Sequence, residues 1–218
     1  MSDKAKAKKK ELESRSYNFD IRSETRESGG STLRGTPIVY SCPTDIGGWF
    51  REVIEPGALD GADLTDVPLL VNHDNSMIPV ARSRRNTPNS TLRLMVTDRG
   101  LDFEADIDTE NNMTAKELNS AVDRKDIDSM SFRFGVSDEE WENLDSDYPT
   151  RHIKKFSRIA EISAVTWPAY EATQIDIARS KQALDNARAA LDNARQQSAS
   201  PLDNGNELEL LKEKIKLL

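Results

Sequence analysis

From about residue 16 to residue 175 the apolar positions recur mainly with a period of two. Leu92, Leu94 and Val96 alternate with Arg93, Met95 and Thr97, and Asp98-Arg99-Gly100 supplies a turn. Leu101, Phe103, Ala105 and Ile107 then alternate with Asp102, Glu104, Asp106 and Asp108. Successive residues of a strand point to opposite faces, so this pattern predicts a β-hairpin with one wet face. Met130, Phe132, Phe134 and Val136 mark another strand, Ile159 to Val165 a third, and Pro68 to Val71 a short, fully apolar one. One segment departs from the period. In MTAKELNSAVDR, residues 113–124, Ala115, Leu118 and Val122 fall on one helical stripe, with Thr114 placed to cap it and Glu117 three residues later. The prediction is an α+β fold, mainly β. A closed or nearly closed barrel suits this many short strands, because closure removes exposed edges.

The flanks read differently. Residues 1–15 form a charged arm with five lysines between Lys4 and Lys10 and no apolar periodicity, expected to be solvated and disordered. The folded domain is expected over 16–177. Residues 178–196 contain no Gly or Pro, and Ala183 to Arg188 recurs seven residues later as Ala190 to Arg195. Leu184, Ala187, Leu191 and Ala194 make a seam spaced three and four, which fits either a two-heptad coiled coil or a lone helix packed on the barrel. A polar linker over 197–206 and a short amphipathic helix over 207–218, with Leu210, Leu211, Ile215 and Leu218, complete the expected helical C-terminal tail.

Composition narrows the function classes. Thirty Lys and Arg against 38 Asp and Glu give the 218-residue chain a formal charge of -8, which argues against nucleic acid as a partner, since phosphate binding calls for net positive surface. A single cysteine, Cys42, excludes an internal disulfide and a multi-cysteine zinc site, and reads as a small packing residue. No apolar run approaches the roughly 18 residues of a membrane span, and the N-terminus lacks the apolar core of a signal peptide. Cytoplasmic synthesis, no membrane partner, no metal and no cofactor are the expectations.

Three places could carry chemistry. His73, one of two histidines, ends the apolar run Leu69-Leu70-Val71 where a strand gives way to a polar loop, a position from which a ring can face a cleft. The other, His152, lies in the basic stretch Arg151 to Lys155 and reads as an exposed strand residue. In Asp128 to Phe134, strand parity puts Ser129, Ser131 and Arg133 on the face opposite Met130, Phe132 and Phe134. That face is either the solvent side of an edge strand or a platform presenting a serine nucleophile, which needs a base within hydrogen-bond reach. Glu161 is the only charge in the strand AEISAVTW, where a buried carboxylate needs a partner. That partner is either a histidine that becomes imidazolium or a structural arginine such as Arg158 or Arg133.

Taken in order, GTPIVY, FREVIEPGAL, LLVNHD, GLDFEADID, IDSMSFRF and AEISAVTWPAY resemble the prohead (capsid maturation) serine proteases of tailed bacteriophages over roughly residues 16–177. The resemblance implies a β-barrel similar to herpesvirus assemblin, with flanking helices. It also implies serine endopeptidase activity, with His73 matching the base, Ser131 in MSF the nucleophile and Glu161 the third member. Ser129 is the second choice for nucleophile and His152 for third member. Arg133 stands where the family commonly has glycine, which points to backbone N–H groups rather than its guanidinium as oxyanion donors. The implied partners are the major capsid protein with its scaffold segment as substrate, the chain itself by autolysis at the exposed linker, and further copies in a homo-oligomer. The implied place is inside the procapsid in the host cytoplasm. The rivals are a non-catalytic scaffold on the same fold and a hydrolase of small esters.

Overall fold

The alternation over residues 92–107 folds as an antiparallel hairpin in the structure, a computed structural model that describes residues 12–17, 21–27, 29–167 and 177–199. Strands β8 (Leu92–Val96) and β9 (Gly100–Ile107) pair with Leu92 opposite Ala105 and Leu94 opposite Phe103. Gly100 is required at the start of β9. Its φ is +145°, and a Cβ there would lie 2.0 Å from the Ile38 carbonyl oxygen. Strands β2 (Ile21–Thr25) and β3 (Ser31–Val39) extend this hairpin into a four-stranded sheet in the order β2-β3-β9-β8. Pro37 sits where the β3–β9 register shifts between Gly35 and Ile38, a bulge that accommodates a residue without a ladder donor.

The second sheet has seven strands: β1 (Glu13–Tyr17), β4 (Thr44–Ile46), β5 (Phe50–Ile54), β6 (Asp66–Val71), β7 (Ala81–Arg84), β10 (Ser129–Glu142) and β11 (Thr150–Val165). Its order is β1-β10-β11-β5-β4, with β6 pairing on β11 and β7 on β6. The sixteen residues of β11 make this branch possible. Residues 150–153 pair in parallel with β5, and 162–164 with β6. Strand β1 already includes residues 13–15, which composition had assigned to the charged arm; residues 1–11 lie outside the described residues.

The two sheets share one core. Ile21, Leu33, Ile38, Leu92, Phe103 and Ile107 of the smaller sheet cluster with Ile54, Leu69, Met130, Phe132, Phe134 and Ile162 of the larger. Phe132, Phe134 and Phe156 stack with centroids 5.0 to 6.2 Å apart. The expected barrel is not formed, because the pairing yields two separate sheets rather than one closed one. The edges are protected by other means. Strands β4 and β7 are only three and four residues long, and helices α1 (Met113–Asp123) and α2 (Ile177–Ala199) lie against β2 and β1.

Helix α1 buries Ala115, Leu118 and Val122, the stripe read from the sequence, but its cap is Asn112 rather than Thr114. The Asn112 side chain accepts from the Ala115 N–H at 3.2 Å. Its C-terminus closes with Lys125 at φ 64°, Asp126 N–H bonding the Ala121 carbonyl and Lys125 N–H that of Val122. Helix α2 packs Ala187 and Leu191 against Ile46 and Phe50, with Trp49, Trp141 and Leu144 around them. The two described seam residues that are fully covered therefore dock on this domain, while the Leu184 side chain lies outside the described residues. Residues 200–218, including the expected amphipathic helix and most of the linker, also lie outside them.

Candidate active site

A β-bulge prepares the polar face on which the candidate residues meet. Arg133 pairs with Glu161, yet Phe134 pairs with Ile159, so Ala160 is the extra residue of β11. In an unbroken strand Ile159 would share a face with Glu161 and Ser163. The bulge changes the parity and lets Ile159 and Ile162 both enter the apolar core. Ser131 then lies beside Ser163 on one side and Ser16 of β1 on the other.

His73 is delivered to the same face by the end of β6. Leu69, Leu70 and Val71 pair with Ile162, Ser163 and Ala164, after which the chain turns sharply. Asn72 and His73 both adopt left-handed backbone, φ 52° and 58°, an unfavourable pair for residues with side chains. The turn is tied back to β11. Asn72 N–H donates to the Ala164 carbonyl at 2.9 Å, and the Asn72 side chain exchanges two bonds with Thr166, at 3.1 and 2.9 Å. His73 N–H donates to Ser163 Oγ at 3.3 Å.

This folding-back brings His73 Nδ1 onto Glu161 Oε1 in direct hydrogen-bond contact. The Glu161 side chain is 3% exposed and that of His73 15%. Ser163 Oγ donates to the other carboxylate oxygen, Oε2, at 2.7 Å. Arg133 Nε lies 3.9 Å from Glu161 Oε1, so its guanidinium turns toward the carboxylate. Of the partners open to Glu161 in the sequence, the histidine is in hydrogen-bond contact and Arg133 makes the looser ion pair.

Ser131 is fully buried, which excludes the reading of its face as the solvent side of an edge strand. Its hydroxyl donates to the Arg15 carbonyl at 2.8 Å. Between Ser131 and His73 stands Ser14 of β1, whose Oγ is 3.4 Å from His73 Nε2 and 3.5 Å from Ser131 Oγ. Among the described residues no direct bond joins Ser131 to His73. Ser129, also buried, donates to Asp128 Oδ1 at 2.8 Å. His152 is elsewhere: it lies eleven residues from Ser163 along β11 and bonds Glu55 Oε1 through Nδ1 at 2.6 Å, with Glu142 near Nε2 at 3.5 Å. The expectation of an exposed His152 is corrected to a half-buried, paired one, and its neighbour Arg151 is buried.

Sequence reasoning passed over Ser14 and Ser163. Ser163 carried a signal, since it follows Glu161 by two in an apolar strand and so shares its face. Ser14 carried none, because residues 12–17 have no apolar alternation. The same reasoning passed over a buried charge cluster behind the site. Arg15 bonds Glu52 through Nε and Nη2, both at 2.6 Å, and Glu13 at 2.8 Å. Arg151 bonds Glu13 at 2.6 and 2.7 Å, Glu52 at 3.0 Å and Glu139 at 3.0 Å. Burial pushes the Glu13 carboxyl up, but Arg151 and Arg15 outweigh it and hold its pKa down at about 2. This cluster fastens β1, and with it Ser14 and the Arg15 carbonyl, to the central strands.

Comparison with known proteins is consistent with the order of motifs. No curated protein and no solved structure matches the chain. The family model described as Caudovirus prohead serine protease matches residues 10–187, a span that takes in both sheets, α1 and the first part of α2. With that span covered, the chain belongs to the caudovirus prohead serine protease family.

Proposed function

We propose that this protein is a serine endopeptidase that cleaves scaffold segments of the capsid protein, and itself, during procapsid maturation, acting inside the procapsid as a homo-oligomer. In this reading Ser131 is the nucleophile, His73 the base and Glu161 the third member. The observation that carries it is the His73–Glu161 contact, buried on the same sheet face as Ser131 in a member of this family. Such a carboxylate holds Nδ1 protonated, leaves Nε2 free to accept a proton, and stabilises the imidazolium that follows.

The steps balance without a cofactor. The Ser131 hydroxyl attacks the peptide carbonyl and gives its proton to His73 Nε2. The C–N bond then breaks as Nε2 protonates the leaving amine. Water adds to the acyl-serine ester, yields its proton to Nε2, and the serine departs with that proton. Because Arg133 turns to Glu161, backbone N–H groups are the better oxyanion donors, each contributing on the order of 3 kcal/mol. Proton transfer requires the Ser131 hydroxyl to leave the Arg15 carbonyl and reach Nε2, with Ser14 yielding its place.

A second reading, an inert assembly module, is favoured by the full burial of Ser131 and by its hydrogen bond to Arg15. Co-expression with the major capsid protein, followed by mass measurement, separates the two. Wild type should give shortened capsid protein and a shortened protease, and Ser131→Ala neither. Equal processing by Ser131→Ala would remove Ser131 as nucleophile; no processing by either would favour the inert module.

A further inference from the structure

Ser163 has no part in the three-residue reading, yet it is a fully buried hydroxyl in the most apolar part of β11, between Ile162 and Ala164. Its strand neighbours are Ser131 on β10 and Leu70 on β6. It thus lies between the strand that carries the nucleophile and the strand that ends at the base. A hydroxyl offers one proton and accepts through its lone pairs, and both capacities are used toward the same two residues. The proton goes to Glu161 Oε2 at 2.7 Å, and the oxygen accepts the His73 N–H at 3.3 Å. Glu161 Oε1 meets His73 Nδ1. The three residues therefore close a ring of hydrogen bonds: imidazole to carboxylate, carboxylate to hydroxyl, hydroxyl to the imidazole's own backbone.

We propose that Ser163 is a positioning residue of the hydrolytic site, holding the Glu161 carboxylate and the His73 backbone as one unit; this rests on the assignment of His73 and Glu161 above. Each bond restrains a freedom the others leave. A carboxylate held at one oxygen can still rotate about its last side-chain bond, and the bond to Oε2 prevents this. Two successive left-handed residues relax unless their surroundings over-determine them, and the Ser163 bond is a tether from β11 on the second of the two. With both restrained, the imidazole keeps Nδ1 on Glu161 and directs Nε2 toward the Ser14 and Ser131 hydroxyls. A β-branched apolar residue would suit a buried strand better, so a hydroxyl at this position carries the cost of desolvating a polar group.

The test compares Ser163→Thr with Ser163→Val in the full chain, since the two side chains have nearly the same shape and differ in the hydroxyl. The readouts are the rate at which a fluorophosphonate probe labels Ser131, and the low-field proton resonance of His73 Nδ1–H. Thr should label within about threefold of wild type and keep the resonance. Val should label about 10- to 100-fold more slowly, the effect of losing a hydrogen bond to a charged group, and should lose or shift it. Equal rates and equal spectra for Thr and Val would overturn the proposal, because a packing role would not distinguish them. Should neither variant fold, Ser163→Ala adds no atoms and decides the question: wild-type labelling and an unmoved resonance would overturn the proposal, and their loss would support it. If wild type itself is labelled elsewhere or not at all, the assignment of Ser131 fails, while the resonance still reports whether Ser163 orders the His73–Glu161 pair.

Discussion

Glu161 is a carboxylate almost wholly removed from water, which is costly for the charged form unless its partners compensate. It has three: the His73 ring, the Ser163 hydroxyl and, at longer range, Arg133. Glu161→Gln keeps the volume and one acceptor but removes the charge that would stabilise an imidazolium. Processing of the capsid protein should fall by about 10²- to 10⁴-fold, measured as the rate of product appearance, with the thermal midpoint little changed. His152→Gln should process within about twofold of wild type, since its Glu55 and Glu142 partners lie away from the site. A large loss in His152→Gln with none in Glu161→Gln would reverse the assignment. At this scale the sequence was informative for residues whose type contradicts their surroundings, such as a lone charge in an apolar strand or a histidine at a strand end. It was silent on Ser14, a serine in a polar arm, because only the pairing of β1 with β10 brings it between His73 and Ser131.

At the scale of elements, period-two alternation located the strands but not their lengths or their irregularities. Strand β11 was visible from Ile159 to Val165 and in fact begins at Thr150, because its first part pairs with β10, and over 150–153 with β5 as well, without a simple polar-apolar alternation. The bulge at Ala160 was hidden for the same reason, since Ile159 and Ile162 are out of phase in sequence and come into phase only when one residue is looped out. The β8–β9 turn, by contrast, was fully legible, and its glycine is under steric control. Gly100→Ala places a methyl group 2.0 Å from the Ile38 carbonyl oxygen, in a backbone region that alanine avoids. Because a backbone atom must move, the variant should lose about 2–4 kcal/mol of unfolding free energy, measured by urea denaturation. A midpoint within error of wild type would show that β3 yields easily at this point.

For the whole molecule, the strand β1 is attached by buried charge as well as by its ladder with β10. Glu13, Arg15, Glu52 and Arg151 are buried together, Arg15 over the Phe134 ring and Arg151 over that of Trp141. Arg151→Met removes the guanidinium shared by Glu13, Glu52 and Glu139 and leaves Arg15 alone between Glu13 and Glu52. It should cost about 3–5 kcal/mol, as when one partner of a buried pair is removed. The pH dependence has a definite sign. The Glu13 carboxyl is depressed in the fold to about 2 from an ordinary 4.5, so its contribution is fully present above the higher value. It is lost as pH falls toward the lower one. Thermal midpoints of wild type should therefore drop between about pH 4.5 and pH 2, and Glu13→Gln should show a shallower slope there. Parallel slopes would mean that other carboxylates govern acid unfolding.

The division between sequence and tertiary structure follows from the range over which each constraint acts. Alternation, turn chemistry and the helical stripe are local, so they determined by themselves a mainly β fold with one inserted helix and the strands that carry Ser131 and Glu161. Ordered motifs added the family. Whether the sheets closed was decided by long-range pairing: β11 accepts two parallel partners along its length, and short or helix-covered edges make closure unnecessary. The geometry of the site was likewise decided only in three dimensions. A bulge sets which side chains face together, and a strained turn swings His73 over β11. The N-terminal strand, held by buried charges 37 and 138 residues away in sequence, puts Ser14 between His73 and Ser131. Contacts of that separation leave no periodicity in the chain.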